Sequence, residues 1–171
     1  MAEAPSSTSA GSGGLLASLP GWARSLLAGG RVARLATVDS EGQPSVVAVC
    51  YVLAGDRLYS PIDGKPKKTP RLRRLRDLDA NPRVALVVDR WEEDWRKLAW
   101  VSVRGRGRVL EERGADEDER REAIGALRAK YPQYGATEAG EGGAPLPDSA
   151  TVIRVDAEEA RCWRFAGEEE A

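Results

Sequence analysis

The chain has 171 residues, a formal net charge of −1 and no histidine. This length is enough for one domain with a sizeable hydrophobic core, and the near-zero net charge argues against a protein that coats nucleic acid. The absence of histidine excludes a Ser-His-Asp triad, a Cys-His pair and any His-ligated metal. An enzyme with this sequence would therefore take its difficult chemistry from a bound organic cofactor.

Both ends of the chain are predicted to lie outside the folded domain. Residues 1–14 are rich in Ala, Ser and Gly, and this composition predicts a disordered tail. An acidic tail is predicted over 167–171, which leaves a single domain at 15–166. No apolar run approaches the roughly 20 residues that span a bilayer, and the N-terminus lacks the basic-then-apolar order of a secretory signal. We therefore predict a cytoplasmic protein with no membrane partner.

The first part of the domain predicts a short helix followed by an antiparallel meander. The helix is expected over 21–28, where two glycines end it. Strands are expected over 31–38, 45–53 and 57–60, with turn sequences between them. The second of these strands, SVVAVCYVL, is nearly all apolar, so it is expected to be buried on both faces or in the wall of a barrel.

The next segment contains the most informative pattern in the chain. A Pro/Gly loop with three lysines leads into a predicted helix that has Thr69 as its cap and Pro70 in its first turn, and that stops at Asn81. A helix N-terminus supplemented by lysines attracts an anion, so we predict a phosphate or polycarboxylate site; a solvated basic helix face is the alternative. Seven cations fall within twelve residues: Lys65, Lys67, Lys68, Arg71, Arg73, Arg74 and Arg76.

The remainder of the chain predicts more strands and one longer helix. Strands are expected from Val84 and over 100–111, where two glycines permit a bulge, and a helix is expected over 115–130. A loop over 131–148 precedes two closing strands, 150–155 and 161–165. Six or more strands with short helices between them predict a mainly β fold, a small barrel. The cysteines, Cys50 and Cys162, fall within strands and are expected to be packed thiols.

The chain contains, in this order, the segments RVARLATV, a Gly-Gln-Pro turn, LYSPID-x-KPK, ANPRVALVVD and WVSVRGRGRV. This series of segments resembles the pyridoxamine-phosphate-oxidase-like split-barrel flavoproteins. Within them the chain looks most like the branch that uses the deazaflavin coenzyme F420. The resemblance covers about 22–165. It implies an FMN-binding type of split β-barrel, assembled as a homodimer with two cofactor sites at the subunit interface.

The resemblance also implies which residues hold the cofactor. Two strands would flank its ring and ribityl chain, and the lysine loop would hold its phosphate. The helix arginines would reach the oligoglutamate tail of F420, whereas pairing with Asp77 and Asp79 is the alternative for them. Related sequences often carry histidine where this chain has Ser45 and Gly64, so no histidine role is carried over. The implied cofactor residues are Val47, Val49, Tyr59, Ser60, Pro61, Lys65, Lys67, Lys68, Arg71 and Arg74.

The function implied is hydride transfer between the deazaflavin and a small unsaturated substrate, with the proton supplied by solvent or by Tyr51 or Tyr59. The alternatives are an FMN-dependent oxidase or reductase of the same fold and a non-catalytic protein that carries a flavin or tetrapyrrole. A nucleic-acid partner is not expected, because the basic patch lacks interleaved aromatic residues. Trp91 and Trp95 lie in a charged loop and are expected to be buried by the partner subunit or a ligand. Three alternating arginines either reach the cofactor of the other subunit or face water: Arg104, Arg106 and Arg108.

Overall fold

The computed structural model describes residues 6–8, 14–62, 72–110, 112, 114–135 and 144–165. Three helices are α1 (Gly21–Gly29), α2 (Arg73–Ala80) and α3 (Glu117–Lys130). The strands are β1 (Ser6–Thr8), β2 (Ala33–Val38), β3 (Pro44–Val49), β4 (Val52–Ala54), β5 (Arg57–Pro61), β6 (Arg83–Arg90), β7 (Ala99–Leu110) and β8 (Val152–Arg164). The predicted mainly β fold with short helices is confirmed.

The strands form one curled antiparallel sheet in the order β3-β2-β6-β7-β8-β5-β4, with β1 paired to the far part of β8. Its inner face encloses the main core, where Leu27 of α1 and Leu78 of α2 meet strand residues such as Leu35. A second core lies outside the sheet, where Ile124 and Leu127 of α3 pack over β4, β5 and the start of β8. Helix α3 therefore covers one half of the outer sheet surface.

The final strand corrects the sequence prediction of two separate strands. β8 runs unbroken from Val152 to Arg164, paired with β7 throughout. Its inward residues change parity along the way, from Ile153 and Val155 to Ala160 and Cys162. β8 carries one extra residue, Glu158, opposite the step from Arg104 to Gly105 of β7, and this bulge produces that change because it shifts the register by one residue and reverses which face later side chains occupy. The sequence pattern of two short strands reflects this bulge.

The predicted strand over 45–53 is wrong in two respects. It is divided into β3 and β4, because at this corner the Tyr131 hydroxyl replaces ladder partners: it accepts from Tyr51 N at 3.1 Å and donates to Tyr51 O at 2.8 Å. β3 is also not buried on both faces. Its side chains alternate, with Val49 buried in the main core and Val46 63% exposed, because no described element covers the outer face of β3.

The boundaries near the cationic helix and at the N-terminus differ from the predicted ones. Helix α2 begins at Arg73, while the predicted cap Thr69 and Pro70 lie outside the described residues. Within the predicted tail, β1 pairs with residues 160–162 of β8, which composition did not indicate. The other domain boundaries stay predictions. No helix in the described ranges has the length and apolar character needed to cross a membrane, and the cytoplasmic location stays a prediction.

Candidate functional site

The predicted cofactor residues fall into two groups. Six of them lie on β3, on β5 and on α2, whereas Lys65, Lys67, Lys68 and Arg71 lie outside the described residues. On β3, Val49 belongs to the main core and Val47 packs against it from a half-buried position. Both valines therefore point to the inside of the curled sheet, whereas Val46 points outward.

Ser60 is the polar residue of this set whose hydroxyl needs a hydrogen-bond partner. It is 3% exposed, and its Oγ has no hydrogen-bond partner among the described residues. A buried hydroxyl without a partner costs free energy, so such a group in a native protein calls for a ligand or an ordered water. Ser60 stands near the end of β5, immediately before the segment that carries the predicted phosphate-binding lysines. Its position fits a cofactor held at that strand end.

Tyr59 faces the opposite side of β5 from Ser60, because successive strand residues alternate. Its side chain lies in the second core, and its hydroxyl donates to Glu119 Oε1 of α3 at 2.7 Å. Burial and this carboxylate raise the pKa of Tyr59 to about 12. Tyr51 is fully buried, and its hydroxyl donates to the Leu27 carbonyl. Both tyrosine protons are thus committed to internal acceptors.

Among the arginines of α2, Arg73 has ion pairs that the structure defines. Arg73 pairs with Asp39 at 3.1 Å and lies 3.9 Å from Asp77, so for this residue the structure shows the internal pairing that was the alternative to tail binding. Asp77 is 3% exposed and accepts a 2.6 Å hydrogen bond from Thr37, which ties α2 to β2. Arg76 is exposed and Arg74 is half-buried.

None of the described helices lies over one half of the outer sheet surface. We call the outward residues of β3, β2 and β6 on this half the bare face. Two rows of directly opposed residues cross this face. One row consists of Val46, Ala36 and Ala85, and the next consists of Ala48, Arg34 and Val87. Every one of these residues is exposed or half-exposed, which is unusual for so many apolar side chains on adjacent strands.

The three alternating arginines of β7 divide between the two halves of the outer surface. Arg104 lies opposite Ala85, beside the bare face, and pairs with Glu159 at 3.5 Å. Arg108 pairs closely with Asp116 and lies 3.8 Å from Glu119, next to α3. These contacts join the arginines to carboxylates of the chain itself. Arg106 is exposed between them.

Trp91 and Trp95 are the largest exposed apolar side chains among the described residues, at 67% and 65% exposure. They lie in the connection between β6 and β7, and Trp95 opens a single 3₁₀ turn. Their expected burial by a partner subunit or a ligand stays a prediction.

A family model described as pyridoxamine 5'-phosphate oxidase matches residues 19–164. The chain belongs to the pyridoxamine 5'-phosphate oxidase family. The curled sheet of this chain is therefore the split barrel of that family, as the sequence resemblance implied. A search with the whole sequence finds no match among curated proteins.

Solved structures share this fold across most of the chain. A FAD-binding protein from Mesorhizobium loti is 25% identical with a TM-score of 0.63, covering 86% of this chain and 96% of that one. An F420 reductase is 22% identical with a TM-score of 0.55, covering 83% and 98%. The heme storage protein HutZ from Vibrio cholerae is 16% identical with a TM-score of 0.57, covering 80% and 88%. The last two similarities show the fold alone.

Sequence reasoning missed the bare face, although the signal for it was present. β2 and β6 carry apolar residues at both parities, such as Leu35 and Ala36 or Leu86 and Val87. A strand that is apolar on both faces needs a cover on both faces. Inside the sheet that cover is the main core, whereas α3 lies over the other half of the outside.

Proposed function

We propose that this family member is a homodimeric oxidoreductase that binds a flavin-type cofactor, with the deazaflavin F420 preferred over FMN. The observation that carries the cofactor site is the buried Ser60 hydroxyl, which has no hydrogen-bond partner among the described residues and lies at the strand end leading to the lysine loop. The FAD-binding protein from Mesorhizobium loti, at 25% identity, supports a flavin-type ligand. The preference for F420 rests on the sequence resemblance and on the arginines at 71 and 74.

In this proposal each part of the site has its own task. Ser60 and Pro61 border the cofactor from β5, and Val47 and Val49 provide apolar wall from β3. The lysine loop holds the phosphate, while Arg71 and Arg74 attract a polyanionic tail. When bound, the cofactor supplies the hydride chemistry for a small unsaturated substrate.

The proton for that reaction comes from solvent in this proposal. The hydroxyl protons of Tyr51 and Tyr59 are already donated to Leu27 and Glu119. Moreover, burial first and Glu119 second raise the pKa of Tyr59, which makes it a weaker acid. In this proposal the chain itself binds and orients the cofactor, and it keeps water away from the apolar wall.

Dimerisation is the second part of the proposal, and the bare face supports it. A Val46→Glu substitution would place a charge in the middle of an apolar contact, where burying it without a partner costs several kcal/mol. We expect the unmodified protein to sediment at twice the 18.5 kDa chain mass at micromolar concentration, and the variant to sediment as a monomer.

Gly125→Glu is the matched control for this substitution. Gly125 lies on α3, and a side chain built there would meet nothing within 4 Å. This variant should remain dimeric, because α3 covers the other half of the sheet. A monomeric unmodified protein, or an equal loss of dimer in both variants, would contradict an interface on the bare face.

The cationic segment gives a test that separates F420 from FMN. Lys67→Ala combined with Lys68→Ala should weaken both cofactors about fivefold, more at low salt, because the two lysines contact the phosphate that both cofactors share. Arg71→Gln combined with Arg74→Gln should weaken F420 alone, and the loss should grow with the number of glutamates in the tail. Fluorescence titrations at two salt concentrations measure both effects.

Arg73→Gln is the control, since Arg73 is already paired with Asp39. It should change neither affinity by more than about twofold, as expected for an exposed ion pair. Tighter binding of FMN than of F420, or an arginine effect that ignores tail length, would favour the FMN-dependent alternative.

A further inference from the structure

A cleft of about 650 Å³ opens beside α1, away from the residues proposed to hold the cofactor. Its walls come from α1, from the end of β6 and from the end of β8. Trp22 and the 67% exposed Trp91 line it, together with Arg31, Arg90 and Arg164. A volume of this size is in the range of small-molecule sites in proteins.

Contacts within the chain hold the three arginines in position. Arg31 Nη1 donates to the Lys130 carbonyl at 2.8 Å, and Arg90 Nε donates to the Lys97 carbonyl at 2.7 Å. The guanidinium of Arg164 lies 5.3 Å from the centroid of the Trp22 ring. None of the three forms an ion pair with a carboxylate in the described part of the chain.

Among the described residues that line the cleft, the one carboxylate is that of Asp89, which is closely paired with Arg34 and does not compensate the three arginines. The cleft therefore carries net positive charge next to indole rings. A guanidinium has five N–H donors in a planar arrangement that matches a carboxylate. Arg31 and Arg90 each use one N–H on a backbone carbonyl, and the Arg31 guanidinium also lies 4.6 Å from the centroid of the Tyr131 ring, so further N–H donors remain available. Indole rings favour a flat aromatic partner.

We propose that this cleft binds a planar aromatic carboxylate, with its ring against Trp91 and Trp22 and its carboxylate on the arginines. The site uses none of the residues assigned to the cofactor, so the inference stands apart from the proposed oxidoreductase function. Exposed Trp91 then has a defined role, as one wall of a ligand site.

Calorimetric titration of the full chain with 2-naphthoate tests this proposal. Trp91→Leu should weaken binding about fivefold, and the control Trp95→Leu, at an equally exposed indole that does not line the cleft, should change it less than twofold. Arg164→Gln should also weaken binding about fivefold, whereas Arg24→Gln, on the exposed side of α1, should not. The neutral 2-naphthamide should bind at least about fivefold more weakly than 2-naphthoate.

Four binding results would overturn the proposal. They are the absence of binding, equal effects of the two tryptophan substitutions, equal affinity for the amide, and loss of the naphthoate site when FMN is added at saturation. A change of sedimentation in Trp91→Leu would also overturn it, because Trp91 would then belong to a contact between copies of the chain. Failure of the protein to bind any flavin would count against the proposed function and leave this site in place.

Discussion

Replacing Gly105 with alanine should lower the free energy of unfolding by about 3 kcal/mol or more, which is the range of severe backbone clashes. A Cβ at this position would lie 1.9 Å from the carbonyl oxygen of Asp156 and 3.1 Å from the Cα of Ala157. Both atoms belong to the backbone of β8, so no side-chain rotation relieves the contact. The bulge would have to open, and β8 would lose the parity change that keeps its inner face apolar.

Gly125→Ala is the control for this prediction, and urea denaturation measures both variants. A Cβ at Gly125 meets nothing within 4 Å, and alanine favours the interior of a helix, so this variant should gain about 0.5 to 1 kcal/mol. Unchanged stability of Gly105→Ala would mean that β7 and β8 are not in this register.

Replacing Glu119 with leucine should lower the free energy of unfolding by about 2 kcal/mol, since it breaks a partly buried ion-pair network. Glu119 accepts from Tyr59 at 2.7 Å and pairs with Arg154 at 3.0 Å and Arg57 at 3.3 Å. The Arg154 side chain is 15% exposed and keeps its contact with Asp156 at 2.6 Å, which limits the loss. The Tyr59 hydroxyl would remain buried without an acceptor.

Glu117→Leu is matched to this substitution, because both glutamates lie in the first turn of α3. Glu117 pairs with exposed Arg121 at 2.6 Å, and such a surface pair contributes about 0.2 to 1 kcal/mol. Thermal or urea unfolding should therefore separate the two variants clearly. The pKa of Tyr59 should also fall part of the way toward its ordinary value in Glu119→Leu, because burial, the larger cause of the raised pKa, remains while the carboxylate that adds to it is gone. Equal costs for the two substitutions would show that Glu119 does not organise this network.

Local pattern was enough to predict the elements that carry their own signals. Helix α3 and strands β2, β6 and β7 were predicted to within a few residues, because their apolar periodicity and turn residues are local. The bulge at Gly105 was indicated by glycine alone. The continuity of β8 was not predictable in this way, since its parity change follows from pairing with β7 about 50 residues earlier.

The features of the site that depend on contacts between distant residues could not be predicted from the sequence. The break between β3 and β4 depends on the hydroxyl of Tyr131, which lies 80 residues away from Tyr51. Tyr59 and Ser60 are neighbours in sequence, but Tyr59 packs beneath α3 and donates to Glu119, whereas the Ser60 hydroxyl faces the inside of the sheet and has no partner in the part of the chain that the structure describes. The resemblance placed both beside the cofactor, and the fold gives them different surroundings.

Fluorescence titration of the unmodified protein with F420 and with FMN, at one ionic strength and with sedimentation of the resulting complex, tests the proposed function most directly. We predict that both cofactors bind, that F420 binds more tightly, and that saturation occurs at one cofactor per subunit of a dimer. Failure to bind either cofactor, or saturation of a monomer, would contradict a flavin-type site at the subunit interface.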